Sequence, residues 1–363
     1  MRPLKKPASD DVIKTWIFEF FNSFQHLEAE AFDPLGCAED YAWYLERWVR
    51  AEAQGLEGIF FSEHHFVPGR FSPSPNLLIA AVAARTKRLR LGAMGNVVPL
   101  YEPWRLAEEF AMLDQLSGGR LEIGLASGSG PREHLAVGIS ADEVRPRFDE
   151  ALSIIDAALT QPRVTHQGKY WQLKDLAIVP RPLQQPAPPR WMTGIAQPAA
   201  HSAAARGYRF CTGFLPTAQV AELFIEYRKA SLDAGYAVES GHLALRRMVV
   251  VHEDTVEAHR LGEAALAGMW RYLRAPEAKT ASAAGSVPDA PQPRRGGPVV
   301  GPEECIAGNP QDVASQIAAQ CIACGAGHFL GYAPNTLTRA QAAASYALWG
   351  EVNALLQREG MRP

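Results

Sequence analysis

Glu63-His64-His65 sets a carboxylate beside two adjacent imidazoles, between a short apolar run and a Pro/Gly-rich loop. An imidazole titrates near neutrality, so this trio suits proton transfer, with the carboxylate as partner. A metal centre is the weaker reading. Adjacent side chains on an extended segment point opposite ways, and no His-x-x-x-His or paired cysteines elsewhere supply further ligands. Three other chain segments could hold a ligand. Gly92-Ala93-Met94-Gly95-Asn96 ends an apolar run, where a small residue lets a flat ring approach the backbone. Ala126-Ser127-Gly128-Ser129-Gly130 can offer N–H groups and hydroxyls to an anion, although its glycines also make ordinary turns. Thr193-Gly194-Ile195-Ala196-Gln197-Pro198 opens a helix whose unpaired N–H groups suit a phosphate. Cys321-Ile322-Ala323-Cys324 stands at a helix end, where thiolates are not activated, and reads as an accidental pair. The Trp16, Phe18, Phe20 alternation reads as wall packing first and a ligand wall second.

These residues need a scaffold that gathers them. Apolar runs rich in β-branched and aromatic residues alternate with helical periods, the mark of βα units around a parallel sheet. Strands are expected at Thr15–Phe21, Gly58–Ser62, Leu89–Met94, Arg120–Leu125, Arg190–Thr193, Tyr208–Thr212, Leu243–Val251 and His328–Gly331. Eight strands fit a closed (β/α)8 TIM barrel in one domain over 1–363, with its site at the strands' C-terminal ends. An open doubly wound sheet would want a Gly-rich turn after the first strand, where Asn22-Ser23-Phe24-Gln25 stands. Helices are expected at about 39–54, 76–86, 103–116, 142–159, 198–206, 218–234, 255–273, 310–324 and 339–358. Residues 164–189 break the rhythm before strand five. Tyr170–Leu173 and Leu176–Val179 read there as a hairpin insertion. Residues 1–14 read as a polar tail. Residues 276–300, rich in Ala, Pro, Ser and Gly, read as a mobile loop or lid after helix seven.

The chain has 363 residues and is 47% hydrophobic, enough for a large core. A net charge of −3 gives no basic excess for nucleic acid. No apolar window reaches membrane-spanning length. Five scattered cysteines make no disulfide framework, so a cytoplasmic protein is expected.

Several segments, in order, resemble the luciferase-like monooxygenase family of flavin-dependent barrel enzymes. They are Ser62-Glu63-His64-His65-Phe66, Leu91 to Pro99, Glu102 to Glu109, Leu113 to Gly124, Ile178 to Pro182, Met192-Thr193-Gly194 and Gly308 to Val313. The resemblance implies reduced FMN (FMNH2), supplied by a separate flavin reductase. With O2 it would form a C4a-(hydro)peroxide that attacks a small organic substrate. His64 matches the histidine beside the flavin, with Glu63 as its catalytic neighbour. Met94-Gly95 matches a non-prolyl cis peptide facing the flavin ring, and Gly95 would let the ring lie on the main chain. The implied cofactor contacts are Met94, Gly95, Asn96, Ser127, Gly128, Gly194, Ile195 and Ala196. Ser127 stands where luciferase has an arginine near the phosphate, which shifts weight to the backbone at 194–196. Ala126 replaces a cysteine, so a thiol role is absent. A homodimer is also implied. Two alternatives stay open: a deazaflavin-dependent hydride-transfer oxidoreductase of the same superfamily, and a non-catalytic flavin-binding partner subunit. The first is disfavoured by the His-His pair and the second by the presence of His64.

Overall fold

A computed structural model describes residues 12–23, 32–66, 69–128, 130–274 and 300–358. The expected tail and lid fall almost wholly outside the described residues. The strands are β1 Lys14–Glu19, β2 Gly58–Phe61, β3 Arg90–Ala93, β4 Asn96–Val97, β5 Leu121–Ala126 and β6 Val164–Gln167. They continue with β7 Gln172–Leu176, β8 Arg190–Thr193, β9 Arg209–Thr212, β10 Leu243–Val251, β11 Cys305–Gly308 and β12 His328–Tyr332. The first five helices are α1 Pro34–Ala53, α2 Pro75–Ala83, α3 Pro103–Ser117, α4 Pro131–Ala136 and α5 Ala141–Thr160. After the hairpin come α6 Gln197–Ala205, α7 Thr217–Asp233, α8 Thr255–Arg274, α9 Pro310–Cys324 and α10 Arg339–Arg358.

Eight strands close a parallel ring in the order β1-β2-β3-β5-β8-β9-β10-β12 and back to β1. This is the expected TIM barrel. Period-2 alternation sorts its side chains. Trp16, Phe18, Phe60, Met94, Trp191, Cys211, Ala244, Met248, Leu330 and Tyr332 fill the lumen. Ile17, Ile59, Phe61, Leu91, Ile123 and Leu245 face the helices in the larger outer core. The N-terminal end of the lumen is plugged by polar groups. Glu122 takes bonds from Arg90 Nε at 2.5 Å and Trp191 Nε1 at 2.6 Å, and Trp16 Nε1 donates to His328 Nδ1 at 2.8 Å. That plug leaves the opposite end for a ligand.

Beyond the short additional elements β4 and α4, the structure departs from the expected elements in three places. Helix α1 starts five residues early, because Asp33 caps it by accepting from Leu35 N and Pro34 occupies its first turn. The hairpin is β6 paired with β7, not Tyr170–Leu173 with Leu176–Val179. The Glu150 carboxylate on α5 accepts the N–H groups of Lys169, Tyr170 and Trp171, which bends that stretch into the turn. Finally, β11 is an additional strand. The nine-residue β10 outruns its neighbours, and β11 pairs with its last four residues. Leu266 and Met269 of α8 pack on the lumen cluster, so the α8–β11 excursion borders the barrel's C-terminal end.

Candidate active site

The segment after β2 turns into the C-terminal mouth. His64 lies with its ring stacked on Phe20, 6.2 Å between centroids and 20° between planes. Behind it, Nδ1 is 3.6 Å from Glu133 Oε1, and that same oxygen accepts the His65 N–H at 2.9 Å. Burial works to raise the Glu133 carboxyl, but the bonds from His64 and His65 outweigh it and hold it below the usual range. Glu133 enters from α4, and its other oxygen is buried without a partner among the described residues. His64 Nε2 has no partner among the described residues. The imidazole is thus fixed from two sides with one nitrogen open.

Glu63 and His65 go the other way, as alternation requires. The Glu63 carboxylate is wholly buried, accepting from Tyr101 Oη at 2.7 Å and Asn96 Nδ2 at 3.2 Å, and pairing with His65 Nε2 at 2.9 Å. Its bond raises the His65 pKa, against the pull of burial. Burial and the Glu63 charge together push the Tyr101 phenol up. Asn96, also fully buried, spends its amide on this network and on Asn76, while its Oδ1 has no partner among the described residues. Glu63 and Asn96 therefore lie behind the wall that carries His64.

The Met94-Gly95 peptide is cis, and Met94 belongs to the lumen cluster. A Cβ on Gly95 would meet Leu125 N at 2.7 Å and Gly124 C at 2.9 Å. The glycine is thus demanded by close approach to β5, a reason the sequence did not show. Ser127 is half-buried, and its hydroxyl makes no hydrogen bond among the described residues. Gly128 has φ +100°, and a Cβ there would meet His134 Cε1 at 2.4 Å. Gly194 N–H already bonds Cys211 O at 3.2 Å in the sheet, so it is not a free donor. Ile195 and Ala196, with Gln197 at the first turn of α6, keep unpaired N–H groups among the described residues, and α6 has no side-chain cap.

Across the mouth stand residues that the sequence reading did not single out. β10 is buried at all nine positions yet carries Arg246 and Arg247 in its middle. Two charges inside an otherwise apolar strand were the available signal. Arg247 turns outward to Glu304 at 3.1 Å and Gln320 at 2.8 Å. Arg246 turns inward, its guanidinium carbon 4.4 Å from the Phe214 ring centroid, 4.6 Å from Phe18 and 5.9 Å from Phe20. Glu304 also accepts from Phe214 N and Tyr332 Oη. Burial pushes its carboxyl up to about 7, with Arg247 and Arg246 pulling back. Glu133 had no sequence signal of its own, since only the fold brings α4 under the β2 loop. A separate groove of about 230 Å³ lies between β10, α8 and α10, lined by residues including His252, Glu257 and Gln341. It shares no residue with the mouth.

Residues 15–326 match the family model described as luciferase-like monooxygenase. The oxygenase component of a flavin-dependent trigonelline monooxygenase from Acinetobacter baylyi is 36% identical, over 47% of this chain and 48% of that protein. An F420-dependent glucose-6-phosphate dehydrogenase from Kineococcus radiotolerans is 37% identical, over 44% of this chain and 47% of that one. Both matches thus span about half the length of those relatives. In fold, the chain is similar to the oxygenating constituent of 3,6-diketocamphane monooxygenase from Pseudomonas putida, solved with FMN. The TM-score is 0.77 at 20% identity, covering 97% of this chain and 100% of that one.

Proposed function

Because the chain belongs to the luciferase-like monooxygenase family, we propose that it is the oxygenase of a two-component system. It takes reduced FMN from a separate flavin reductase and uses O2 to oxygenate a small organic substrate. The observation that carries this reading is the His64 imidazole, held between Glu133 and Phe20 with Nε2 open at the mouth.

The residues present fit a flavin. Met94 and the adjoining main chain offer an apolar wall, with Ser127 and Gly128 beside it. The unpaired N–H groups of Ile195, Ala196 and Gln197 suit a phosphate. When bound, the flavin supplies the reaction with O2, which protein side chains cannot perform. The chain does the rest. With Nδ1 turned to Glu133, His64 Nε2 is the atom that accepts or returns a proton. Glu63 serves as a positioning residue, anchoring the loop through His65, Tyr101 and Asn96. Phe18, Phe20 and Phe214, backed by Leu266 and Met269, exclude water from the mouth. A homodimer is supported by exposed Leu77, Met112 and Leu116, the last two one turn apart on α3. Five free cysteines support a reducing, cytoplasmic setting.

Anaerobic titration with reduced FMN, followed by mixing with aerated buffer, tests the reading. Reduced FMN binds, and O2 consumption then proceeds at a rate set by the protein. His64→Ala changes that rate by about a hundredfold with FMN binding kept. Binding of a reduced deazaflavin in place of FMN, with anaerobic hydride transfer, would overturn it.

A further inference from the structure

We propose that the mouth contains an anion-recognition subsite centred on Arg246, so that the organic substrate carries a carboxylate on an apolar or ring-bearing body. This names the substrate class of the site proposed above and rests on that reading for the reaction, though not for the binding.

Arg246 is 7% exposed and stands in a lumen-facing row with Ala244 and Met248. Its neighbours are rings: Phe18, Phe20 and Phe214 surround the guanidinium. Tyr332 packs edge-on against all three, with centroids 5.1 to 6.3 Å away. Aromatic faces attract a cation but accept none of its five N–H bonds in the way an oxygen does. Nε is buried with no hydrogen-bond partner, and the guanidinium makes no ion pair among the described residues. The nearest carboxylate of the cluster, Glu304, is already shared by Arg247, Tyr332 and the Phe214 N–H. Glu304 feels the Arg246 charge but gives it no direct bond, and the arginine's planar fork matches a carboxylate in two parallel bonds. An anionic ligand completes this arrangement.

Phe20 ties the subsite to the proposed chemistry. Its ring lies 5.9 Å from the Arg246 guanidinium carbon and 6.2 Å from the His64 ring. A molecule whose carboxylate reaches Arg246 therefore lays its body along Phe20 toward His64. The flavin phosphate is the other anion that could come here. The unpaired N–H groups at the start of α6 provide for it elsewhere.

Titration calorimetry on the full chain, without flavin and without O2, tests the subsite with paired probes: benzoate against benzamide, and hexanoate against hexanamide. At least one carboxylate binds about tenfold or more tighter than its amide. Arg246→Met abolishes that preference, Arg246→Lys keeps part of it, and inorganic phosphate does not compete. No preference in the wild-type chain overturns the proposal, as does a preference that survives Arg246→Met. So does displacement of the bound carboxylate by inorganic phosphate. Should Arg246→Met fail to fold, Arg246→Gln, which removes the charge and keeps a polar head, is read the same way. Flavin and O2 take no part in the titration, so its failure leaves the monooxygenase reading standing, and a failed FMN titration leaves this one.

Discussion

Replacing Glu63 separates an anchor from a reacting group. Its carboxylate is fully buried and holds three donors: Tyr101 Oη at 2.7 Å, His65 Nε2 at 2.9 Å and Asn96 Nδ2 at 3.2 Å. Glu63→Ala leaves the buried Tyr101 and Asn96 donors without their acceptor and removes the partner of the half-buried His65. Stranding buried donors costs roughly 1–3 kcal/mol each, and the half-exposed His65 adds less. Glu63→Gln keeps an acceptor oxygen but loses the charge, for a smaller loss of about 1–3 kcal/mol. The pH dependence gives a second handle. Glu63 raises the His65 pKa, so the pair's contribution is fully present below the ordinary histidine value of about 6.5. It is lost as pH rises through the raised value. Urea unfolding at about pH 6 and about pH 8.5 measures both effects. The wild-type chain loses this increment between the two conditions, and Glu63→Gln does not. Glu63→Ala unfolding within about 0.5 kcal/mol of wild type would refute the reasoning. An unchanged pH response in Glu63→Gln would do the same.

Three further outcomes are expected. Glu133 is held below the usual carboxylate range by His64 and His65, so its stabilisation is complete above the ordinary value of about 4.3 and vanishes as pH falls through the lowered one. Glu133→Gln should flatten acid unfolding in that window, as followed by circular dichroism, and a wild-type acid profile would contradict the assignment. Gly95→Ala places a Cβ 2.7 Å from Leu125 N, against backbone that cannot swing aside. It should destabilise by about 1–3 kcal/mol, read in a thermal melt with or without FMN. A destabilisation seen only with FMN bound would contradict this. If α3 forms the dimer face, the double substitution Met112→Asp and Leu116→Asp gives monomers in light-scattering chromatography with the fold intact.

The barrel was legible because its signals are local and periodic. Trp16, Phe18 and Phe20 alternate into one face, and Pro103 with Gly118 marks both ends of α3. The hairpin register was not legible, since a side chain in the middle of the preceding helix, Glu150, decides where the chain turns. β11 was missed because it forms only where β10 runs past its neighbours, a tertiary feature with no pattern of its own in the sequence. At the mouth, the sequence marked His64 but not its direction-setting partner. Glu133 reaches it through the fold rather than through spacing. Glu63 was read as a catalytic neighbour, whereas the alternation that sends His64 to the mouth sends Glu63 behind the wall. Arg246 was readable as a charge inside an apolar strand, but its bareness appears only once Phe18, Phe20 and Phe214 close around it.

A crystal structure of the chain grown anaerobically with reduced FMN tests the central claim most directly. The account predicts the three-ring system against Met94-Gly95, its phosphate at the N–H groups of Ile195, Ala196 and Gln197, and His64 Nε2 within hydrogen-bond reach of the ring edge. Flavin seated in the groove between β10, α8 and α10, or His64 turned away from it, would contradict the account.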